Sequence, residues 1–345
     1  MKKIFFLLPC ALLCACGNNS SQKVDNDSVV NKSEATQKTD TTALRAAVDK
    51  SLLEVTKKIE ATNACVMVMD ETGRLIMDYT VALHGDSLSV QKDRSGCGFE
   101  YGSLIKPMIL AAIMDDPNVS LDTGMMLRVG SKIYDKGIKV QDHWDGPNDS
   151  LPLHRAFAVS SNVAMTELGE KFYLNCRDSI RTKLLRMLQY DNNVKIKAVS
   201  VLQDYYRLFY GVGIEMPATT VLRFYYAIAN DGIVKSASGE PYRIMSSSTA
   251  QMLKAMLGES VCGGGIDVCR NDNAFSVAGK SAVIQPNVYN NYQTVCCVGF
   301  FPLEKPQYTV MVSIDCGGNY SHSYNASKVF NDVSMELMRQ VASEK

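Results

Sequence analysis

Apolar and polar residues recur with two different periods along this chain, and the period indicates the element at each position. Over residues 43–60 the apolar side chains recur at helical spacing, which predicts an amphipathic helix. Apolar runs follow at 65–69 and 74–79, and the sequence between them, Asp70-Glu71-Thr72-Gly73, is typical of a tight turn. The folded region is therefore predicted to begin with a helix and a two-stranded hairpin.

Helical spacing dominates the middle of the chain and gives way to strand-like runs near the carboxyl end. Predicted helices cover residues 104–114, 163–171, 218–230, 249–257 and 326–342. Predicted strands cover residues 275–284, 294–301 and 308–315. Strands from both chain ends around a helical middle predict an α+β fold: an antiparallel five-stranded sheet flanked by helices, with a mostly helical subdomain beside it.

The amino terminus has the pattern of an export signal. Lys2 and Lys3 precede an apolar run, 4–13, that is too short for a membrane-spanning helix. The following Leu-Cys-Ala-Cys-Gly, residues 13–17, resembles a bacterial lipobox. We predict a lipoprotein signal peptide over 1–16 with Cys16 as the lipidated residue. The alternative is a plain signal peptide whose cysteines are incidental apolar residues.

A polar segment separates this signal from the folded part. Residues 17–42 are rich in Asn, Ser, Asp, Lys and Thr and contain few large apolar residues, so they cannot bury enough surface to order themselves. We predict a disordered tether there and one folded domain over 43–345. Acyl chains on Cys16 would hold the protein on a membrane surface. The predicted location is the cell envelope, as a membrane-anchored lipoprotein.

Charge and cysteine content narrow the function classes. The 36 basic and 36 acidic residues balance, and no basic cluster stands out, which argues against a nucleic-acid partner. A Cys262–Cys269 disulfide is one option in an oxidising compartment, but the sequence does not establish it. The chain has no CxxC pair, and its four histidines show no ligand spacing. We therefore expect no metal and no cofactor.

Three short polar clusters supply the candidate chemistry: Ser103-Leu104-Ile105-Lys106, Ser160-Ser161-Asn162 and Lys280-Ser281-Ala282. A serine hydroxyl is a weak nucleophile that needs a base, a proton relay and donors for the oxyanion. Ser103 precedes an apolar helix that tolerates Pro107 in its first turn. We expect Ser103 at that helix start, buried beneath the sheet, with Lys106 one turn above it as the base.

Each cluster also has a structural interpretation. Ser103 and Ser160 are acceptable helix caps, and Lys280 is acceptable as a solvated charge on a strand. The Ser-x-x-Lys pattern recurs at Ser20 and Ser89, but neither copy precedes an apolar helix. The order and context of the three clusters therefore favour an acyl-transfer site.

The clusters resemble the SxxK, SxN and K[ST]G motifs of penicillin-binding protein transpeptidases and serine β-lactamases. The flanking sequences are similar to those of class B penicillin-binding transpeptidases, and the similarity covers about Ala61 to the carboxyl terminus. The flanking segments that carry it are 65–77, 210–213, 227–232 and 298–302. The resemblance implies a serine D,D-transpeptidase or D,D-carboxypeptidase that acts on peptidoglycan stem peptides and is acylated by β-lactams.

The resemblance also implies a role for each catalytic residue. Ser103 would attack the carbonyl of a peptide ending in D-Ala-D-Ala, and Lys106 would accept the serine proton. Ser160 would pass a proton to the leaving amine. Lys280 would polarise the Ser160 hydroxyl, and Asn162 would orient Lys106 or the substrate amide.

Substrate binding would fall to the third cluster. Ser281 would bind the substrate carboxylate, and the backbone amides of Ser103 and Val283 would hold the oxyanion. The family has glycine at Ala282, where an added methyl would crowd a strand passing close to substrate, and threonine at Val283. These departures leave a weak or inactive homologue acting as a cell-wall scaffold as the main alternative. A β-lactamase or β-lactam sensor ranks below it, and cell-wall synthesis proteins are candidate partners.

Overall fold

The computed structural model describes residues 39–343, apart from 57, 92–95, 97, 144–145, 236–238, 263–274, 286–292 and 317–323. The signal peptide, Cys16, almost all of the predicted tether and the Cys262–Cys269 pairing lie outside the residues and side chains described. Its α-helices are α1 (Thr41–Thr56), α2 (Lys106–Met114), α3 (Leu153–Ala158), α4 (Asn162–Tyr173), α5 (Arg177–Met187), α6 (Leu202–Leu208), α7 (Ala218–Ala229), α8 (Ser247–Cys262) and α9 (Tyr324–Ser343).

The strands include six that form the main sheet and nine short ones. The strands are β1 (Ala61–Asp70), β2 (Leu75–His84), β3 (Ser87–Val90), β4 (Gly98–Glu100), β5 (Met126–Arg128), β6 (Ser131–Ile133), β7 (Lys139–Gln141), β8 (Ser150–Pro152), β9 (Lys195–Ile196), β10 (Ile214–Pro217), β11 (Ile233–Lys235), β12 (Pro241–Arg243), β13 (Ala278–Ile284), β14 (Gln293–Phe301) and β15 (Tyr308–Cys316). Short 3-10 helices cover Gly102–Ile105, Asp135–Gly137 and Leu174–Cys176.

The main sheet is antiparallel and has the order β13-β14-β15-β1-β2-β3. The prediction that both chain ends supply its strands is confirmed. The predicted strand number, five, is wrong because β3 adds a sixth strand at the edge beside β2. Its residues Ser87-Leu88-Ser89-Val90 are exposed or half-buried, so the strand carries only a weak apolar pattern.

Each face of this sheet is covered by helices. Alternate side chains point to opposite faces of a strand, and in β1 Val66 and Val68 join the core formed with α1 and α9. Met67 and Met69 face the other way and join the core that contains α2, α7 and α8. The helix α2 is apolar all round, and its residues 106–113 are buried. Within that core it packs against α5 and α8.

The structure refines several predicted bounds. Helix α1 begins at Thr41 and ends at Thr56, whereas the pattern predicted 43–60. Strand β13 begins at Ala278, three residues after its predicted start. The pattern missed α3, α5 and α6; α5 is strongly polar and buries only Ile180, Leu184 and Met187. None of the helices in the described part of the chain is long and apolar enough to cross a bilayer.

Candidate active site

The first cluster lies in a tight turn that leads into α2. Gly102–Ile105 form a 3-10 helix, and the Lys106 amide donates to the Ser103 carbonyl. Side chains three residues apart eclipse in a 3-10 turn, so Lys106 follows Ser103 on the same face, as the spacing predicted. Ser103 is half-buried rather than buried beneath the sheet, because the positive φ of Gly102 turns the chain just before it. Its hydroxyl donates to no other described residue.

The Lys106 ammonium group reaches the second cluster. Its Nζ lies 2.5 Å from the Ser160 carbonyl oxygen, 3.2 Å from Ser160 Oγ and 2.8 Å from Asn162 Oδ1. The side chain is fully buried. Burial and the positive charge of Lys280 hold the pKa of Lys106 well below its ordinary value, and the negative charge of Asp142 opposes this shift. A neutral Lys106 is a competent proton acceptor.

Ser160 occupies the junction between α3 and α4 in a left-handed conformation, with φ of 59°. Its amide donates to the Phe157 carbonyl, and the Ser161 amide donates to the Ala156 carbonyl. This bond pattern ends a helix with its next residue in the left-handed region, a place that usually carries glycine. A serine there costs of order 1 kcal/mol or more, and in this protein it directs a hydroxyl and a carbonyl at Lys106.

Asn162 is the first residue of α4, and its position depends on a residue that the sequence motifs did not indicate. The Asp142 carboxylate accepts the amides of Asn162 and Val163 and the hydroxyl of Ser161. Ser161 in turn caps α4 by accepting the Ala164 amide at 2.9 Å. An isolated aspartate about twenty residues before the motif gave no spacing signal, because its partners are mostly backbone amides.

The third cluster brings a second buried lysine to the site. Lys280 lies on β13, an end strand of the main sheet that packs against the Ser103 turn. Its Nζ donates to the Ser281 carbonyl at 2.9 Å. Burial lowers the pKa of Lys280 to about 7, with a small opposing effect from Cys297. The solvated-charge interpretation of Lys280 is therefore wrong, because the side chain is fully buried.

The other residues of this cluster line the same strand. Ser281 is 6% exposed, and its hydroxyl makes no hydrogen bond to another described residue. Ala282 is buried, and its Cβ lies 4.0 Å from the position that a Cβ on Gly102 would take. Val283 is half-buried against the core on the opposite face of the sheet. The methyl of Ala282 thus faces the turn that carries Ser103.

Two residues beyond the motifs support that turn. Gly211 has φ of 88°, and a Cβ there would overlap the Gly102 carbonyl. The Tyr225 hydroxyl, on α7, donates to the Leu104 carbonyl at 3.1 Å. The turn is therefore held by contacts with α7 and with the 209–213 loop, and it also packs against β13.

This geometry unites a serine at the start of a helix, a buried amine within hydrogen-bond reach of a second hydroxyl, and a second buried amine nearby. Such a set can move a proton from an attacking hydroxyl to a leaving group without a metal ion. Across the residues that the structure describes, no cluster of His, Cys, Asp and Glu is arranged to hold a metal.

Comparisons with known proteins agree with this geometry. A family model described as "Penicillin binding protein transpeptidase domain" matches residues 65–335. The protein from Neisseria gonorrhoeae named "Probable peptidoglycan D,D-transpeptidase PenA" is 23% identical over 236 residues, which are 63% of this chain and 40% of that relative. The chain therefore spans about two fifths of the curated relatives it matches.

Solved structures show the same fold. The transpeptidase domain of penicillin-binding protein 3 from Burkholderia pseudomallei superimposes with a TM-score of 0.70 at 20% identity, covering 87% of this chain and 95% of that one. Penicillin-binding protein 3 from Mycobacterium tuberculosis, in complex with aztreonam, superimposes with a TM-score of 0.66 at 19% identity. That match covers 87% of this chain and 77% of the mycobacterial chain.

Proposed function

This chain belongs to the penicillin-binding protein transpeptidase domain family, and we propose that it is a serine D,D-transpeptidase acting on peptidoglycan stem peptides through an acyl-enzyme on Ser103. One observation carries the proposal: the buried Lys106 amine, one 3-10 turn after Ser103, contacts both Ser160 and Asn162. Lys280, the lysine of the third motif on β13, is also fully buried, and its charge acts on Lys106.

In the first step, Ser103 Oγ attacks the carbonyl carbon between the last two D-alanine residues of the substrate. The serine proton passes to neutral Lys106, whose lowered pKa leaves it unprotonated more readily than an ordinary lysine. The carbonyl oxygen becomes an oxyanion and is held by the backbone amides of Ser103 and Val283. Each such donor is typically worth about a hundredfold to a thousandfold in rate.

In the second step, the tetrahedral intermediate collapses and the terminal D-alanine leaves. An amine leaves only when protonated, and Ser160 Oγ, 3.2 Å from Lys106 Nζ, provides the path for that proton. Lys280 in its charged form favours ionisation of the Ser160 hydroxyl. The products are free D-alanine and an ester between the shortened stem peptide and Ser103.

Substrate orientation falls to β13 and Asn162. The Ser281 hydroxyl, without a partner among the described residues, is available for the terminal carboxylate of the substrate. The side-chain oxygen of Asn162 accepts a hydrogen bond from Lys106, and its side-chain nitrogen donates to the Gln141 carbonyl at 3.2 Å. These two bonds fix the orientation of the Asn162 side chain. The acyl-enzyme is then resolved in one of two ways. Attack by an amine of a stem peptide on a neighbouring glycan chain reverses the two steps and completes transpeptidation, whereas attack by water releases the shortened peptide and completes carboxypeptidation.

β-Lactams are proposed as covalent ligands, since solved relatives carry aztreonam and ampicillin. We also propose, from the sequence of residues 1–42, that Cys16 is lipidated and that the protein lies in the cell envelope. Contact with other cell-wall synthesis proteins is proposed from the family to which the chain belongs.

The direct test uses the detergent-solubilised full chain and a synthetic pentapeptide ending in D-Ala-D-Ala. Release of D-alanine, together with exchange of the last residue for an added D-amino acid, supports a transpeptidase; release without exchange indicates a carboxypeptidase. Ser103→Ala should abolish both, whereas Ser89→Ala, in the second Ser-x-x-Lys sequence, should retain both. A well-folded wild-type chain that releases no D-alanine contradicts the proposal and favours a non-catalytic scaffold.

A further inference from the structure

Asp142 is a buried carboxylate at the edge of the proposed site with more partners than an ordinary helix cap. It follows β7 and is 8% exposed. Its Oδ1 accepts the amides of Asn162 at 2.6 Å and Val163 at 2.9 Å. Its Oδ2 accepts the Gly130 amide at 2.8 Å and the Ser161 hydroxyl at 2.7 Å. Four donors thus converge on one carboxylate. These hydrogen bonds fix the position of the Asp142 side chain and of the four donor groups.

These donors include the residues that hold Lys106. Asn162 is fixed through its own amide, and its side-chain oxygen accepts from Lys106 Nζ at 2.8 Å. Ser161 is fixed through its hydroxyl and carries Ser160, its neighbour, whose carbonyl and hydroxyl both contact Lys106. A continuous set of hydrogen bonds therefore runs from Asp142 through the start of α4 to the proposed base.

The strain at Ser160 explains why such an anchor is needed. A serine in the left-handed region persists only when the surrounding structure over-determines it. On the α3 side, the bonds to Ala156 and Phe157 hold it. On the α4 side, the Asp142 carboxylate is the group that fixes the next two residues. Without it, the junction can relax and withdraw two of the three acceptors from Lys106.

Charge gives Asp142 a second effect on the same amine. The charged groups that act on Lys106 are Lys280, from β13, and Asp142, from the loop after β7, whereas Ser160 and Asn162 are neutral. Lys280 disfavours the charged amine and Asp142 favours it. The carboxylate thus offsets part of the repulsion between two buried lysines.

We propose that Asp142 is a positioning residue, whose carboxylate anchors the start of α4 so that Ser160 and Asn162 hold Lys106, and whose negative charge offsets Lys280. The inference rests on the proposed function, because it assigns Asp142 to the base of that reaction. This role differs from that of a purely structural helix cap in one measurable respect. Removing the charge of Asp142 should alter the protonation of Lys106 as well as the placement of its side chain.

The test measures the acylation rate of the full chain by a fluorescent penicillin from pH 5 to pH 10. In Asp142→Asn we expect roughly a tenfold to hundredfold slower acylation from misplacement of the base. In a plot of acylation rate against pH, the ascending limb reports deprotonation of the base, Lys106. This limb should move to lower pH in Asp142→Asn, because the carboxylate charge that raises the pKa of Lys106 is gone. A merely structural residue would leave that limb in place.

Two further variants control this test. Ser161→Ala removes a donor to Asp142 but keeps its charge, so acylation should slow while the limb stays where it is in the wild type. Asp122→Asn changes an exposed aspartate that caps the Gly124 amide, at 2.8 Å, and should alter neither the rate nor the limb. If Asp142→Asn does not fold, Ser161→Ala decides: slowed acylation supports the inference, and an unchanged rate overturns it.

An Asp142→Asn profile that superimposes on the wild-type profile, with an equal rate, overturns the inference. A folded wild-type chain that takes up no penicillin overturns the proposed function instead. The crystal structure of Asp142→Asn then decides about Asp142 separately: loss of the Lys106–Asn162 contact supports the inference, and retention of that contact overturns it.

Discussion

Gly211 contacts Gly102 so closely that a methyl group on Gly211 would overlap the Gly102 carbonyl oxygen. Gly102 is the residue before the proposed nucleophile, and both glycines have positive φ. The position of Ser103 is therefore set by a contact between two backbones that are far apart in the sequence.

We expect Gly211→Ala to abolish acylation by a fluorescent penicillin, because the Gly102 carbonyl must move and Ser103 moves with it. The free energy of unfolding should fall by more than about 1 kcal/mol, the cost of an unsuitable backbone conformation alone. Gly239→Ala is the matched control, since Gly239 has φ of 85° and open space around it. Equal acylation of the Gly211→Ala and Gly239→Ala variants would refute this role for the contact.

Ala282→Gly tests whether the departure from the family motif limits catalysis. The methyl is buried and faces Gly102, so its removal should lower the free energy of unfolding by about 1 kcal/mol and leave the acylation rate nearly unchanged. Stopped-flow acylation and chemical unfolding measure the two effects. A rise in acylation rate of more than about tenfold would mean that the methyl crowds the substrate groove.

Lys280→Met should stabilise the protein while it impairs catalysis. Burial lowers the pKa of Lys280 from 10.5 to about 7, so between these two pH values the unfolded chain binds more protons and stability rises with pH. Below pH 7 the amine is charged in both the folded and the unfolded chain, so folding bears the full free-energy cost of burying the charged amine. That cost is roughly 5 kcal/mol, more than the about 1 kcal/mol of its hydrogen bond to the Ser281 carbonyl.

Unfolding experiments at pH 6 and pH 10 measure this effect. The stability gained by Lys280→Met should be largest at pH 6 and should shrink towards pH 10, where the lysine is neutral in the folded chain and partly neutral in the unfolded one. Lys305→Met, at an exposed lysine in the loop after β14, serves as the control, and it should change the stability little at either pH because the side chain is not buried. A gain that is constant with pH would contradict the lowered pKa.

Ser160→Ala tests the proton path to the leaving group. Proton transfer by a positioned group is typically worth about a hundredfold to ten-thousandfold, so D-alanine release from an amide substrate should fall by about a hundredfold or more. A thioester substrate releases a thiolate that needs no proton, and its loss of rate should be much smaller. Equal losses with the two substrates would show that Ser160 acts on attack or on placement of Lys106 and not on the departing group.

The sequence predicted the elements whose periodicity is strong and the motifs whose spacing is local. The Ser103–Lys106 spacing indicated a shared face because three residues make one turn, and the structure has that turn. The strands from both chain ends were predicted because β1, β14 and β15 have long apolar runs.

The remaining features depend on contacts between distant residues. Strand β3 is held by its pairing with β2 rather than by an apolar pattern of its own. Asp142 binds mainly backbone amides, which carry no sequence signal. The extent to which Lys280 is buried depends on the packing of β13 against the Ser103 turn, which the motif itself does not specify.

The most direct measurement is mass spectrometry of the detergent-solubilised full chain after exposure to benzylpenicillin. The account predicts one covalent adduct per chain, mapped to the peptide that contains Ser103, absent from Ser103→Ala and present in Ser89→Ala. An unmodified wild-type chain, or an adduct that persists in Ser103→Ala, would contradict it.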